Sequence, residues 1–379
     1  MTTNSPIGAT LPPPVVTATA EQLRAVLDAL GAPAYRMRQV TDAVWRPQVA
    51  GFSDVIQLPA DLRGALVEAF TWNTVEATAV SIADGGNTVK FLGSLADGQT
   101  IETVAMESPA TARSRRRATV CVSSQVGCAV GCPFCATGQM GLTRHCSAAE
   151  IVDQVRVAAS LLSERGLGPV THVVFMGMGE PLANFDAVLQ SLKLLTGAGG
   201  ISARRITVST SGVVPAIDRL TAEALPVTLA ISLHAANNTL RDKLVPLNRA
   251  HRLETLIAAA ERNAAATGRR ISLEWCLIGG VNDSVEDGDE LRELAYHLQA
   301  HVNVIPMNHV DGSPWGPPDR STTEQFLARL HGVRYTTRDT RGAETDAACG
   351  QLRAGLARRR TVQADGTLSK PIPLTRTKA

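Results

Sequence analysis

From Ala118 onward, the chain alternates between short apolar stretches and longer amphipathic ones. THVVFMG, RRITVSTSG and PVTLAISLHA have the length and composition of buried strands, whereas RLETLIAAAERNAAA has helical periodicity. Strands that alternate with helices predict a parallel sheet, either a βα barrel, full or partial, or a doubly wound sheet. The chain supplies about six such units where a full barrel needs eight. We therefore predict an α/β fold with a partial (βα)6 barrel, and we expect ligands at the carboxyl ends of its strands.

The residues before Ala118 follow other patterns. EQLRAVLDALGAPAYRMRQVTDAVW and DLRGALVEAF predict a small helical unit that resembles a helix-hairpin-helix, a type that either grips a nucleic-acid backbone or serves for packing. The next stretch alternates around GG and DG turns, which predicts a few antiparallel strands. We therefore divide the chain into a flexible tail (1–19), an N-terminal helical accessory domain (20–75), a β-rich linker with a basic insert (76–117), a βα core (118–350) and a basic C-terminal tail (351–379).

Composition places the chain among ordinary globular proteins, with 44% hydrophobic and 19% charged residues. The net charge of +2 is too small for the whole protein to bind nucleic acid by bulk charge. Basic residues are clustered in ARSRRR, residues 112–117, and LARRR, residues 356–360. Each cluster is either a solvated face or a phosphate contact.

The sequence predicts a cytoplasmic protein. Residues 1–19 are polar and Pro-rich, unlike a signal peptide, and no window holds 18 consecutive apolar residues, so we expect no membrane partner. The seven cysteines are clustered rather than spaced as in an extracellular disulfide framework. That clustering favours a reducing compartment with metal-binding or reactive thiols.

Three cysteines on one loop constrain the chemistry most. Cys128, Cys132 and Cys135 have the spacing C-x3-C-x2-C after a predicted strand, with Cys121 seven residues upstream. A closed zinc site takes four ligands, mostly from C-x2-4-C pairs, and no matching pair follows here. Three thiolates can instead hold three irons of a [4Fe-4S] cluster and leave the fourth iron open. The spacing resembles that of radical S-adenosylmethionine enzymes, in which the open iron binds that cofactor.

A second motif, GMGEP, ends the next predicted strand at residues 177–181. Its small residues let backbone carbonyls approach a ligand closely, and the Glu180 carboxylate can receive an ammonium group. Alone, the motif is equally typical of a strand–helix turn with a capping acid. One βα unit after the cysteine loop, it resembles the segment that binds the amino group of S-adenosylmethionine.

Longer motifs extend this resemblance over residues 20–352. CVSSQVGCAVGCPFC, FMGMGEPLAN, RITVSTSGVVPAI, ISLHAANNTLRDKLVPLN and TDAACGQL occur in order. Together they resemble the radical S-adenosylmethionine family that methylates C2 of an adenine in ribosomal and transfer RNA. The resemblance implies as partners 23S rRNA, protein-free or in an early assembly intermediate, tRNA, and a flavodoxin- or ferredoxin-type electron donor. It also implies a monomer and an accessory domain that binds RNA.

The resemblance assigns the cysteines to separate tasks. Cys128, Cys132 and Cys135 correspond to the cluster ligands, and Cys349 to the thiol that one S-adenosylmethionine methylates. A second S-adenosylmethionine is cleaved to a radical that activates the S-methyl group for addition to C2. Cys121 corresponds to the thiol that then attacks the sulfur of Cys349, releasing the RNA and leaving a transient disulfide. Read alone, two distant cysteines are as typical of idle buried thiols.

The proton acceptor implied by the family is Glu102 in QTIETVAM, with Glu107 as the alternative. Nearby, ESPATARSRRR is longer and more basic than the family pattern. Its arginines either contact RNA phosphate or form a solvated loop; these are Arg113, Arg115, Arg116 and Arg117.

The remaining implied residues bind S-adenosylmethionine and follow strand ends: Gly179, Glu180, Ser209, Ser232, Leu233, His234 and Asn308. Read alone, His234 is equally typical of a hydrogen-bonded core histidine. Cys146 and Cys276 match no functional residue of the family, so we predict structural roles for both.

Two other functions stay open. The relative that methylates C8 of the same adenine shares the cluster, both catalytic thiols and the fold, although the full-length N-terminal domain favours C2. A zinc-stapled RNA-binding module without catalysis is the other, and it would need neither GMGEP nor Cys349.

Overall fold

The structure is a computed structural model that describes residues 11–111, 115–308, 310, 313–338 and 350–352, and the backbone of two short strands at 358–359 and 372–373. The α-helices of these residues are α1 (Ala20–Ala29), α2 (Arg36–Val44), α3 (Ala60–Ala69), α4 (Ala136–Met140), α5 (Ala148–Glu164), α6 (Phe185–Thr196), α7 (Val214–Ala222), α8 (Asn238–Leu244), α9 (Leu253–Thr267), α10 (Val285–His297) and α11 (Arg320–Arg329). The strands are β1 (Val75–Ala83), β2 (Thr88–Leu95), β3 (Thr100–Ser108), β4 (Arg117–Cys121), β5 (Gln125–Gly127), β6 (Leu142–His145), β7 (His172–Phe175), β8 (Ile206–Thr210), β9 (Thr228–Ser232), β10 (Ser272–Leu277), β11 (His301–Pro306), β12 (Arg334–Thr337), β13 (Arg358–Arg359) and β14 (Ile372–Pro373).

One ten-stranded mixed sheet organises the protein, in the order β1-β2-β3-β4-β7-β8-β9-β10-β11-β12. β1 to β4 pair antiparallel, and every pair from β4 to β12 is parallel. The antiparallel strands that the sequence predicts before Ala118 are therefore present. They extend the parallel sheet through the β3–β4 pair, in which Val104 lies opposite Cys121.

The predicted strand–helix alternation is confirmed. β4, β7, β8, β9, β10 and β11 are each followed by at least one helix before the next strand of the sheet, and β12 completes the parallel series. Parallel strands need such crossovers, so all their carboxyl ends lie at one edge of the sheet. The parallel strands are buried on both faces, as in Thr228–Ser232, whose consecutive residues Leu229, Ala230 and Ile231 are all buried, and this explains its apolar run.

Helix α5 begins where the sequence predicts. The Ser147 hydroxyl accepts a hydrogen bond from the Glu150 N–H, and the Glu150 carboxylate accepts one from the Ser147 N–H, forming a capping box. α5 lies between the sheet and the N-terminal helices. Asp153 accepts hydrogen bonds from the N–H and hydroxyl of Thr74, at 2.6 and 2.7 Å, and Arg156 donates to two backbone carbonyls of the N-terminal segment.

The N-terminal segment contains the predicted helices, α1 to α3. Its buried residues, such as Leu23, Val40 and Leu66, belong to the same hydrophobic cluster as Val152 of α5 and Val208 of β8. The helices and the sheet therefore share one continuous core. Within the described residues, no helix combines the length and apolar character needed to cross a membrane.

Candidate functional site

A pocket opens at the carboxyl ends of the parallel strands, where the fold predicts ligands. It receives residues from the loops after β4 and β7 and from the ends of β8 to β11. Its lining contains most of the predicted site residues, namely Cys128, Cys132, Cys135, Gly179, Glu180, Ser209, Ser232, His234 and Asn308. Five separate chain segments thus bring the predicted cluster ligands and cofactor ligands to one place.

The cysteine loop is tightly folded. The Cys135 N–H donates to the Cys132 carbonyl at 3.1 Å, and Gly138, in α4, presses directly on Cys132. A Cβ at Gly138 would lie 2.6 Å from the Cys132 oxygen and 2.9 Å from its nitrogen. Only glycine fits so close to a backbone, so the sequence after the third cysteine helps to fix the position of the second.

The three thiols suit a cluster. Burial raises the pKa of Cys128 to about 12, with Cys135 and Glu180 adding repulsion, and burial likewise raises the pKa of Cys132 and of Cys135. Such thiols ionise when a metal replaces the proton, so metal binding would release protons. Among the described residues, no three His, Cys, Asp or Glu side chains are grouped to hold a single metal ion. In a cluster each thiolate takes a different iron, so three thiols spaced around one pocket fit that group.

Glu180 is a buried carboxylate held by backbone donors. Its two oxygens accept hydrogen bonds from the N–H of Leu182 at 3.0 Å and of Ser211 at 2.6 Å. Burial raises its pKa, and the hydrogen bonds with Ser211, Thr210 and Leu182 oppose that rise. Gly179 has φ 103°, and a Cβ there would lie 2.6 Å from the Gln125 side chain. GMGEP therefore brings a fixed carboxylate to the pocket, where it can receive an ammonium group.

His234 adopts a left-handed backbone conformation, with φ 58°, which costs roughly 1–2 kcal/mol for a residue with a Cβ. Its Nδ1 accepts from the Cys276 N–H at 2.9 Å, and its carbonyl accepts from the Asn282 amide at 2.8 Å. Burial, followed by the charge of Arg241, lowers the pKa of His234 to about 3. The neutral ring must then carry its proton on Nε2, which leaves that N–H as the donor available to a ligand.

Of the other residues predicted to bind the cofactor, Ser209 lines the pocket and Leu233 does not. The Ser209 hydroxyl donates to the Phe175 carbonyl at 2.6 Å, which fixes its oxygen at the pocket wall. Leu233 is fully buried and is absent from the pocket lining, although its neighbours Ser232 and His234 line it. Its backbone N–H donates to the Glu274 carbonyl at 3.0 Å.

The candidate acid–base and thiol residues lie apart from that lining. Glu102 and Cys121 are buried on the adjacent strands β3 and β4, and the Glu102 carboxylate lies 3.1 Å from the Lys90 ammonium. The Ser123 hydroxyl, two residues after Cys121, donates to the Glu102 carbonyl at 2.6 Å. Cys349 lies outside the described residues, and the following residue, Gly350, lines the pocket.

The described arginines of the basic insert lie at the opposite end of the sheet. Arg115 and Arg116 precede β4 and Arg117 begins it, whereas the pocket is formed beyond the carboxyl ends of the strands. Arg116 forms an ion pair with Glu107, whose second oxygen accepts from the Gly168 N–H at 3.1 Å. The hydrogen bond from Arg116 lowers the pKa of Glu107. Arg113 lies outside the described residues.

The sequence patterns did not predict that Glu274 lies in the pocket. Glu274 of β10 is buried at the pocket wall, and its Oε1 accepts from Ser272 at 2.7 Å and Asn303 at 2.8 Å. The lone acid in the apolar run ISLEWCLIGG is the signal that could have found it. Cys276 also lines the pocket, while Cys146 is buried away from it.

Known proteins resemble the chain over most of its length. A family model described as the Radical SAM superfamily matches residues 122–294. The chain is 48% identical over 351 residues to a probable dual-specificity RNA methyltransferase RlmN of Parafrankia sp. (strain EAN1pec), covering 88% of this chain and 90% of that protein. It is 43% identical over 344 residues to a protein of the same description from Mycobacterium marinum, with 88% and 93% covered.

A solved structure, a radical SAM methyltransferase from Sphaerobacter thermophilus, matches with a TM-score of 0.85 and 44% identity, covering 91% of this chain and all of that chain. The similarity to each of these three proteins extends over about nine-tenths of the chain. The radical S-adenosylmethionine superfamily uses a [4Fe-4S] cluster and S-adenosylmethionine, the two groups that the pocket residues suit. The chain therefore belongs to the RlmN family of dual-specificity RNA methyltransferases, within the radical S-adenosylmethionine superfamily.

Proposed function

We propose that the protein methylates C2 of an adenine in the peptidyl-transferase centre of 23S rRNA and of the adenine 3′ to the anticodon in tRNA. The observation that carries the proposal is the single pocket at the strand carboxyl ends. It unites the three thiols with Glu180 and the neutral His234. Residues from six parallel strands, or from the loops after them, line this pocket. This supports our proposal that the strands curve into the partial barrel predicted from sequence.

The pocket residues would divide the binding of two groups. Cys128, Cys132 and Cys135 would hold the cluster, and Glu180 would receive the ammonium group of S-adenosylmethionine. Ser209, Ser232, His234 and Asn308 would bind its ribose and carboxylate, with the backbone of Leu233 fixing the turn between two of them. A bound cluster would supply the electron that cleaves one S-adenosylmethionine and so generates the radical that activates a methyl group.

The chain's own residues would carry the methyl group. Cys349 would accept it from a first S-adenosylmethionine, so that each turnover uses two. After the methyl carbon has bonded to C2, Glu102 would take the C2 proton. Glu102 lies on β3, beside the strand β4 that carries Cys121, and its carboxylate contacts the ammonium of Lys90. The base and the thiol therefore lie on neighbouring strands. Cys121 would then attack the sulfur of Cys349 and break its bond to the transferred carbon, which would take up a proton to become the methyl group. The resulting disulfide would need a two-electron reductant.

RNA would approach the pocket with its adenine turned out of a loop or stack. Because the pocket and the basic insert lie at opposite ends of the strands, Arg115 and Arg117 would contact RNA distant from the target base. Arg116 already has a carboxylate partner in Glu107, which makes it less available to phosphate. We further propose that helices α1–α3 grip the RNA backbone and that a flavodoxin- or ferredoxin-type protein donates the electrons. We propose a cytoplasmic monomer, since the thiol chemistry needs a reducing compartment.

The decisive experiment is nucleoside analysis by mass spectrometry. Protein-free 23S rRNA and tRNA would be treated with the anaerobically reconstituted protein, S-adenosylmethionine and a reductant. Formation of 2-methyladenosine supports the proposal. Formation of 8-methyladenosine would instead identify the C8 methyltransferase, which shares the same pocket chemistry. Colourless protein that contains zinc and no iron would identify a zinc-stapled binding module.

A further inference from the structure

Arg241 is a fully buried cation that the assigned chemistry leaves unused. It lies on α8 with 0% of its surface exposed, among the largest fully buried side chains. Its guanidinium donates to the carbonyls of Leu233 at 3.1 Å and Ser211 at 2.7 Å, and to the Asn248 amide oxygen at 2.8 Å. A longer bond, 3.3 Å, reaches the Ser232 carbonyl. In the described part of the chain, no carboxylate forms an ion pair with it.

The carbonyls that Arg241 binds lie in the turns that carry pocket residues. Ser211 follows β8, which carries Ser209, and Leu233 lies between Ser232 and His234 at the end of β9. One planar, multidentate side chain thus ties together two neighbouring strand ends that are separate in sequence. Burying a charged group against neutral carbonyls is unfavourable, because the charge loses its hydration and gains no opposite charge. A residue that served only for packing would avoid that cost.

Arg241 also lies behind the cysteine loop. Leu244 and Val245, one turn further along the chain, pack in a buried cluster with Cys132 and Phe134. Residues three and four apart share one face of a helix, so Arg241 lies on the same side of α8 as Leu244 and Val245, which pack with Cys132. A positive charge near a thiolate-bound cluster favours the form with more negative charge, which is the reduced form.

We propose that Arg241 is a positioning residue with two effects: it fixes the ends of β8 and β9 for S-adenosylmethionine, and its buried charge stabilises the reduced state of the cluster. The inference rests on the proposed function, because both groups belong to that pocket. Neither effect requires Arg241 to touch the substrate or the cofactor.

The two effects are separable by substitution. Arg241→Lys keeps a positive charge but loses the fork that reaches Ser211 and Leu233 together, whereas Arg241→Met loses both charge and hydrogen bonds. Arg252→Gln is the matched control. Arg252 pairs with Asp242, the residue next to Arg241, at 2.9 Å, and its side chain is 47% exposed at the surface.

The full-length protein, reconstituted anaerobically with its cluster, is compared with the three variants. Equilibrium binding gives the dissociation constant of S-adenosylmethionine, and a redox titration followed by electron paramagnetic resonance gives the reduction potential. We expect affinity to fall about tenfold or more in both Arg241 variants, as about 1.4 kcal/mol of lost positioning implies. We expect a more negative potential in Arg241→Met alone, and wild-type values for Arg252→Gln.

Wild-type affinity in Arg241→Lys would overturn the positioning effect, and a wild-type potential in Arg241→Met would overturn the charge effect. If Arg241→Met does not fold, as judged by circular dichroism, the affinity of Arg241→Lys for S-adenosylmethionine still tests the positioning effect. A wild-type protein that assembles no cluster and binds no S-adenosylmethionine would refute the proposed function instead. The two failures are therefore distinguishable.

Discussion

Substitution of Gly138 by alanine should impair cluster binding while the protein stays folded. The added Cβ would lie 2.6 Å from the Cys132 carbonyl oxygen, whereas ordinary contacts begin at 3.4 Å, so the loop must move by 3.4 − 2.6 = 0.8 Å. Metal–ligand distances tolerate only about 0.2 Å. The backbone of a cluster ligand would therefore move by about four times that tolerance.

The energetic cost of this overpacking is about 1–3 kcal/mol, against a total stability of about 5–15 kcal/mol for a typical domain. Gly138→Ala should therefore remain folded by circular dichroism and urea denaturation. After anaerobic reconstitution, its iron and sulfide content per chain should fall well below that of the wild type.

Gly64→Ala is the matched control. Gly64 lies in α3, and a Cβ there would meet nothing within 4 Å. Alanine in a helix is favoured over glycine by about 1 kcal/mol, so this variant should be slightly more stable and should bind iron normally. Full iron content in Gly138→Ala, with wild-type stability, would refute the close-packing argument for the cysteine loop.

Three further predictions concern the acids and thiols. Glu102→Gln should abolish RNA methylation while leaving cluster assembly intact. Glu107→Gln should leave methylation within about threefold of wild type, because Glu107 pairs with Arg116 and lies far from the pocket. If a nucleoside assay gave the reverse result, the roles of the two residues would be exchanged. Because the pKa of Glu107 is lower in the folded than in the unfolded protein, its ionised carboxylate stabilises the fold above the unfolded pKa. This stabilisation is lost as the pH falls through the folded pKa. Urea denaturation should therefore show Glu107→Gln less stable than wild type by about 1 kcal/mol at pH 7, and this difference should vanish once the pH falls below the folded pKa of Glu107. Cys121→Ala should trap an RNA adduct through Cys349, visible by gel electrophoresis; finding only S-methylated Cys349 and free RNA would reject the role of Cys121.

Periodicity predicts most of the strand–helix order after Ala118, although it does not predict helices α7 and α8. Parallel strands are buried on both faces, so their apolar runs stand out from the amphipathic helices, as at Thr228–Ser232 and α9. The capping box at Ser147 marked the start of α5 for a local reason, since both of its partners lie within one turn. Spacing alone predicted that the three clustered thiols act together, and the fold brings all three to one pocket.

Long-range contacts were not predictable in the same way. Arg241 looks like an ordinary helical surface residue in NTLRDKL, and only the fold brings Ser211, Leu233 and Asn248 to its guanidinium. The position of the basic insert relative to the pocket likewise depends on strand direction, because Arg117 begins the strand that Cys121 ends. The roles assigned to Glu102, Cys121 and Cys349 come from the family resemblance and stay predictions.

The central claim is that the thiol pocket binds both a cluster and S-adenosylmethionine to transfer a methyl group to adenine. The most direct measurement quantifies 5′-deoxyadenosine and 2-methyladenosine together, in one anaerobic reaction with reduced protein and 23S rRNA. We predict one 5′-deoxyadenosine for each 2-methyladenosine, and neither product when Cys128, Cys132 and Cys135 are replaced by alanine. Methylated adenine formed without 5′-deoxyadenosine, or formed by the triple variant, would contradict the account.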